Sequence, residues 1–270
     1  MIERLRNRTH ARASAARFEV VLFDFDGTLA LVRAGWMPLM LDMMMETLAP
    51  LGADTGKLRD EAEEYVARFT GRDTVHQMAA FADHVASLGA VPRAAEVYKA
   101  EFLRRMEHRR SERLNAVESG RMPPDQLLVP GSRALLEALR AAGMRIFLAS
   151  GSEHEDICRE ARLLRIERYF EGIYGSAPQI LTKRELLAHI VASGVPGERI
   201  LTFGDGRTEM EDTKAVGGTA IGVATDEREC LAVDVKKRGW LASAGADYII
   251  PNYLDEGLLQ LVTGGTEHGD

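Results

Sequence analysis

Residues 20–32 read VVLFDFDGTLALV. The first four, Val20 to Phe23, are apolar without alternation, which is the pattern of a short strand covered on both faces. Two carboxylates, Asp24 and Asp26, follow before any turn residue, and Gly27 and Thr28 come next. If the extended backbone persists past Phe23, its two-residue period puts Asp24 and Asp26 on one side. Two like charges so close resist ionising together, so the mouth of this strand calls for a compensating cation.

Outward from that segment, short apolar runs bounded by glycine or charge recur at 145–149, 172–174, 199–203 and 219–223, with a weaker one at 247–250; the first run is read as 19–23. The stretches between them carry helical stripes: Leu135, Leu136 and Leu139; Ile157, Ala161 and Leu164; Leu186, Leu187 and Ile190. Alternating strands and helices joined by right-handed crossovers predict an α/β fold with a Rossmann-like, doubly wound parallel sheet.

Residues 34–124 break the alternation. Met37, Met40, Leu41, Met44 and Leu48 follow helical spacing, as do Val75, Met78, Ala82 and Val85. A charged stretch from Arg93 to Ser119 reads as another helix with Tyr98, Phe102 and Met106 inward. The methionine-rich segment MLDMMMETL has spacing that core packing explains. The expected organisation is a basic, flexible extension at 1–17, an α/β core from 18–33 and 125–262, an all-helical insert at 34–124, and a tail at 263–270.

The 270 residues suffice for a large domain plus a smaller module. Five of the 34 basic residues and one of the 41 acidic ones fall in residues 1–17, so residues 18–270 hold 29 against 40, a net of −11. A body this acidic argues against nucleic acid as a partner. No run approaches the roughly 18 apolar residues of a membrane span, and the basic start lacks a signal-peptide core. Cys158 and Cys230 have neither metal-ligand nor redox spacing and read as two buried free thiols of a cytoplasmic protein.

In an open parallel sheet, ligands gather at the carboxyl ends of the strands. The first strand ends in Asp24 and Asp26, the strand at 145–149 in Ser150, Gly151 and Ser152, and the strand at 199–203 in Gly204, Asp205 and Gly206, with Glu209, Glu211 and Asp212 beyond. Lys183 stands near a helix start. Mg²⁺ prefers oxygen ligands and needs only one or two carboxylates plus phosphate oxygens. Asp205, arriving from a second strand end, would complete such a site with the aspartate pair.

These motifs, DFDGT at 24–28, Ser150 after an apolar strand, Lys183, and GDGRTE at 204–209, resemble the four motifs of the haloacid dehalogenase-like hydrolase superfamily in family order. The helical insert lies where that superfamily places its mobile cap, in the manner of the phosphoglycolate phosphatase and β-phosphoglucomutase branch. The resemblance implies Asp24 as the nucleophile that becomes an aspartyl phosphate. It implies Asp26 as acid and then base, its backbone carbonyl also a metal ligand. Ser150 and the Gly151 N–H would hold phosphate oxygens, Lys183 would neutralise the phosphoryl group, and Asp24, Asp26, Asp205 and Glu209 would surround Mg²⁺. Glu209 replaces a commoner aspartate, so Glu211 and Asp212 stand as alternatives.

The same likeness directs the leaving group to the cap. Arg33 and Trp36 follow the first motif where a flap is expected, and Arg72, Thr74, His76 and Gln77 lie where related caps carry a substrate loop. The expected activity is Mg²⁺-dependent hydrolysis of a small phosphorylated metabolite. A mutase using the same residues and a non-catalytic phosphate-binding regulator remain open, and a dehalogenase fits poorly because Asp26 has no use there.

Overall fold

The computed structural model describes residues 1–5, 18–51, 55–69 and 74–263. The strands are β1 (Glu3–Arg4), β2 (Val20–Phe23), β3 (Arg145–Glu153), β4 (Gly172–Ser176), β5 (Ile200–Gly204), β6 (Thr219–Val223) and β7 (Tyr248–Ile250). They form one sheet in the order β1-β7-β6-β5-β2-β3-β4. Every neighbouring pair is parallel except β1 with β7.

Strand β2 lies inside the sheet between β5 and β3, and all four of its residues are buried. Val21 and Phe23 face one layer, packing with Leu135, Leu136 and Leu139 of α5 (Ser132–Ala141) and Ile157 of α6 (His154–Leu163). Val20 and Leu22 face the other, against Leu186, Leu187 and Ile190 of α7 (Lys183–Ala192). Burying side chains of this size contributes roughly 1.5–3 kcal/mol each. That two-sided burial explains why the run shows no polar alternation. Phe23 also stacks on Phe203 of β5, with ring centroids 4.7 Å apart and planes 5° from parallel. From β2 the chain moves outward through β3 and β4, then crosses back to β5, β6 and β7. The direction reverses between β2 and β5, so the crevice above their carboxyl ends is the switch point where such sheets hold ligands.

Between β2 and β3 lie α1 (Trp36–Leu48), α2 (Thr55–Phe69), α3 (Thr74–Ser87) and α4 (Ala95–Glu118). They enclose a second apolar cluster that includes Met40, Met44, Met78, Phe81, Tyr98 and Phe102. Helix α4 has 24 residues and at 1.5 Å per residue spans about 36 Å. Its Tyr98, Phe102 and Met106 belong to the helical cluster, whereas Leu114 and Val117 belong to the cluster under the sheet. The remaining helices are α8 (Arg207–Ala215), α9 (Val235–Ser243) and α10 (Glu256–Thr263).

Three expectations need correction. Part of the segment read as a loose extension is structured: Glu3 and Arg4 pair antiparallel with β7, and Glu3 accepts a 2.7 Å bond from Arg238 Nε. A strand of one glutamate and one arginine adds backbone bonds without burying side chains, so it leaves no hydrophobic signature. Strand β3 continues to Glu153, with a register shift between Ala149 and Glu153, which places Ser150, Gly151 and Ser152 inside a strand rather than after one. Both cysteines are free, but only Cys230 is buried, and Cys158 is half-buried. Among the described residues no helix is long and apolar enough to cross a membrane.

Candidate active site

The carboxyl ends of β2, β3 and β5 bring the motif residues together around a cavity of about 80 Å³. Asp24, Asp26, Ser150, Gly151, Lys183 and Asp205 all line it. The ladder between β2 and β5 continues one residue past Phe23, through a 2.9 Å bond from Asp24 N–H to the Phe203 carbonyl. That bond keeps the nucleophile candidate extended at the strand's mouth. Lys183 is the first residue of α7, and the sequence before it explains its aim. Thr182 caps the helix by accepting from the Glu185 N–H at 3.3 Å, while Glu185 accepts from the Thr182 N–H at 2.8 Å. This reciprocal cap fixes the helix entry, and the Lys183 ammonium donates to Asp24 Oδ1 at 2.5 Å and also to Glu209.

Gly27 adopts a left-handed backbone, φ 73°, and a Cβ there would lie 2.3 Å from Asp205 Oδ2. The first motif therefore packs directly under the third carboxylate. Glu209, 2% exposed, stands beside Lys183, and its Oε2 has no hydrogen-bond partner. The two alternatives lie elsewhere: Glu211 is exposed and pairs with Arg207, and Asp212, the next residue, is half-buried. Ser150 Oγ accepts from the Ser152 N–H at 3.1 Å, which leaves its own hydroxyl proton to donate.

Two charged residues that sequence reading missed complete the cluster. Lys237 of α9 donates to Asp205 Oδ2 at 3.1 Å and to Glu227 Oε1 at 2.7 Å, and Glu227 Oε2 accepts from the Gly35 N–H at 2.9 Å. Nothing in their local sequence sets them apart from surface charges; only the loop that leaves β6, which carries Glu227, and the packing of α9 back against β6 place them here.

The electrostatics of this cluster bear on a cation. Asp24, Asp205, Glu209 and Glu227 offer four carboxylates against two ammoniums, Lys183 and Lys237, a formal surplus of two negative charges. Burial pushes the Asp24 carboxyl well above the ordinary range, and Lys183 pulls against it. Burial likewise raises Asp205 to about 6, with Lys237 opposing. Burial also works against the charge on Lys183, but Asp24 and Glu209 outweigh it and hold the ammonium above the ordinary lysine range. Among the described residues no three metal-binding side chains already converge, because the two ammoniums stand between the acids. The oxygen-only donor set, the unpartnered Glu209 oxygen and the surplus of two charges nevertheless fit a hard divalent cation.

The expected cap residues divide. Trp36, Thr74 and Gln77 line the cavity, joined by Met40 and Phe102, which the sequence did not mark as lining residues. His76 is exposed and does not line it. Arg72 lies outside the described residues. Arg33 lines the cavity but is not free to meet a substrate: its Nη1 donates to Asp26 Oδ1 at 3.1 Å and to Glu160 Oε2 at 2.6 Å. The other Asp26 oxygen accepts from Ser152 Oγ at 2.9 Å. A larger cavity, about 570 Å³, opens between residues 117–124 and α6, beside Arg159, Arg162 and Arg165. None of the motif residues lines it.

The family model described as a haloacid dehalogenase-like hydrolase matches residues 18–217. No curated protein matches the chain in sequence. Among solved structures, a predicted phosphoglycolate phosphatase from Haemophilus somnus 129PT superposes with a TM-score of 0.55 at 17% identity, covering 92% of this chain and 100% of that one. A predicted phosphatase from Clostridium acetobutylicum gives 0.56 at 17%, covering 93% and 100%. CbbY from Rhodobacter sphaeroides, in complex with xylulose-(1,5)bisphosphate, gives 0.55 at 21%, covering 89% and 96%. At these identities the likeness is one of fold.

Proposed function

We propose that this chain, which belongs to the haloacid dehalogenase-like hydrolase family, is a Mg²⁺-dependent phosphatase that acts on a small phosphorylated metabolite through an aspartyl phosphate on Asp24. The observation that carries this reading is the convergence on one small cavity of a carboxylate at a strand end, a hydroxyl, a buried ammonium and a second strand's carboxylate. Phosphoryl transfer asks for little covalent chemistry beyond a nucleophile and much positioning and charge neutralisation, and this set supplies both.

In the proposed reaction Asp24 attacks phosphorus, and the bond from phosphorus to the leaving oxygen breaks. Asp26 gives that oxygen its proton. Asp26, now a carboxylate, takes a proton from water, and the resulting hydroxide attacks phosphorus and frees the Asp24 carboxylate. Ser150 Oγ and the Gly151 N–H orient the non-bridging oxygens. Lys183 neutralises the phosphoryl group and keeps Asp24 from being pushed away by it. Asp24, Asp205, Glu209 and the Asp26 carbonyl would hold Mg²⁺, which supplies charge neutralisation at the phosphoryl oxygens when bound.

Turnover of p-nitrophenyl phosphate tests the reading. The unaltered chain is expected to turn over with Mg²⁺ and to fall to background with excess chelator, and Asp24→Asn is expected to lose at least about a thousandfold, a nucleophile having been removed. Full activity of Asp24→Asn, or indifference to chelation, would refute it.

A further inference from the structure

Asp26 does not stand alone at the cavity. Both of its carboxylate oxygens accept, Oδ1 from Arg33 and Oδ2 from Ser152. Arg33 grips Glu160 of α6 with a two-pronged pair, Nη1 to Oε2 at 2.6 Å and Nη2 to Oε1 at 2.9 Å. Glu160 is fully buried, and its Oε1 accepts a second bond, at 2.6 Å, from Arg110 Nε. Arg110 belongs to α4, is 8% exposed, and donates its remaining nitrogens to Asp156 at 2.5 Å and Glu107 at 2.9 Å. A continuous chain of charge-assisted bonds thus runs from the helical group through the core to Asp26.

We propose that Arg33 is a positioning residue for Asp26, set in place by Glu160 and Arg110, so that the proton-transfer step depends on how α4 seats against the core; this rests on the reading of Asp26 as the acid and base. The chemistry of the contacts supports it. A carboxylate with one donor on each oxygen is fixed in rotation yet keeps lone pairs on both oxygens. A planar guanidinium gripping one carboxylate in two-pronged fashion has little freedom to swing. Removing Arg110 leaves Glu160 a single partner, loosens that grip and lets Asp26 rotate. A group that only filled space at this junction would affect every substrate alike. A group that aims an acid affects only those whose leaving oxygen needs a proton.

The test uses the full chain under single-turnover conditions, where release of the phenol or alcohol reports the first half-reaction. Two esters are compared: p-nitrophenyl phosphate, whose leaving group departs without protonation, and glycerol phosphate, whose leaving group needs it. Arg110→Met is expected to slow the alkyl ester by about tenfold or more, a fraction of the 10²–10⁴ that a positioned acid supplies, and the aryl ester by less than about twofold. Arg110→Lys, which keeps the charge, is expected to recover part of the loss, and Glu160→Gln to reproduce the selectivity. Equal losses on both esters would reduce the network to packing and overturn the proposal, as would unchanged rates on both. Failure of the unaltered chain to release either product would instead remove the underlying phosphatase reading, and this inference with it.

Discussion

At the scale of single residues, the site is governed by how burial shifts proton affinity. Asp205, raised to about 6 from the ordinary aspartate range, chiefly by burial, holds a proton in the folded metal-free protein at pH values where the unfolded chain has already lost it. Its contribution to stability therefore falls as pH rises through that window. Cation binding has the opposite dependence, because only the ionised carboxylate is a ligand. Mg²⁺ affinity measured by calorimetry is expected to rise as pH passes about 6, and Asp205→Asn is expected to flatten that rise. A wild-type affinity independent of pH across that range would show that Asp205 is not a ligand.

At the scale of elements, each functional group owes its place to how a strand ends or a helix begins. The Thr182–Glu185 cap starts α7 at Lys183. Thr182→Ala is expected to lower stability by about 1 kcal/mol, visible as a drop of a few degrees in thermal midpoint, and to lower turnover through a less constrained Lys183. Unchanged turnover beside the stability loss would mean that the lysine is held by its ion pairs alone. The same logic explains what was legible in the sequence. Strand β2 could be read because burial on both faces forces an unbroken apolar run, and Asp24, Ser150 and Asp205 because each sits within two residues of such a run. Lys183 could be read from its motif order. Glu227 and Lys237 could not be placed, and Arg33 could be placed at the site but not matched to its partners, since those partners lie on other elements: Lys237 meets Asp205 across 32 positions and Arg33 meets Glu160 across 127. Strand β1 escaped notice because it is two polar residues long, held by pairing with β7 and by the Glu3–Arg238 ion pair rather than by an apolar run.

At the scale of the whole molecule, two apolar clusters share one helix. Tyr98, Phe102 and Met106 anchor α4 in the helical group, and Leu114 and Val117 anchor it under the sheet. Just before Leu114, Arg113 donates to the carbonyls of Leu31, Val32 and Ala34 at 3.2, 2.8 and 3.0 Å, tying the outgoing linker to the returning helix. The chain has two tryptophans, Trp36 in the helical group and Trp240 in α9, so single-tryptophan variants report each part separately. Trp36→Phe and Trp240→Phe are expected to give coincident denaturant transitions, the mark of one cooperative unit; transitions well apart would show the two clusters unfolding independently. The sharing of α4 also bears on ancestry and on engineering. An excision of the whole helical group would strip Leu114 and Val117 from beneath the sheet and leave a greasy scar, so the insert is no interchangeable cassette. A donor lid grafted onto this scaffold would have to be spliced midway along α4, with the recipient keeping the final two turns as its own.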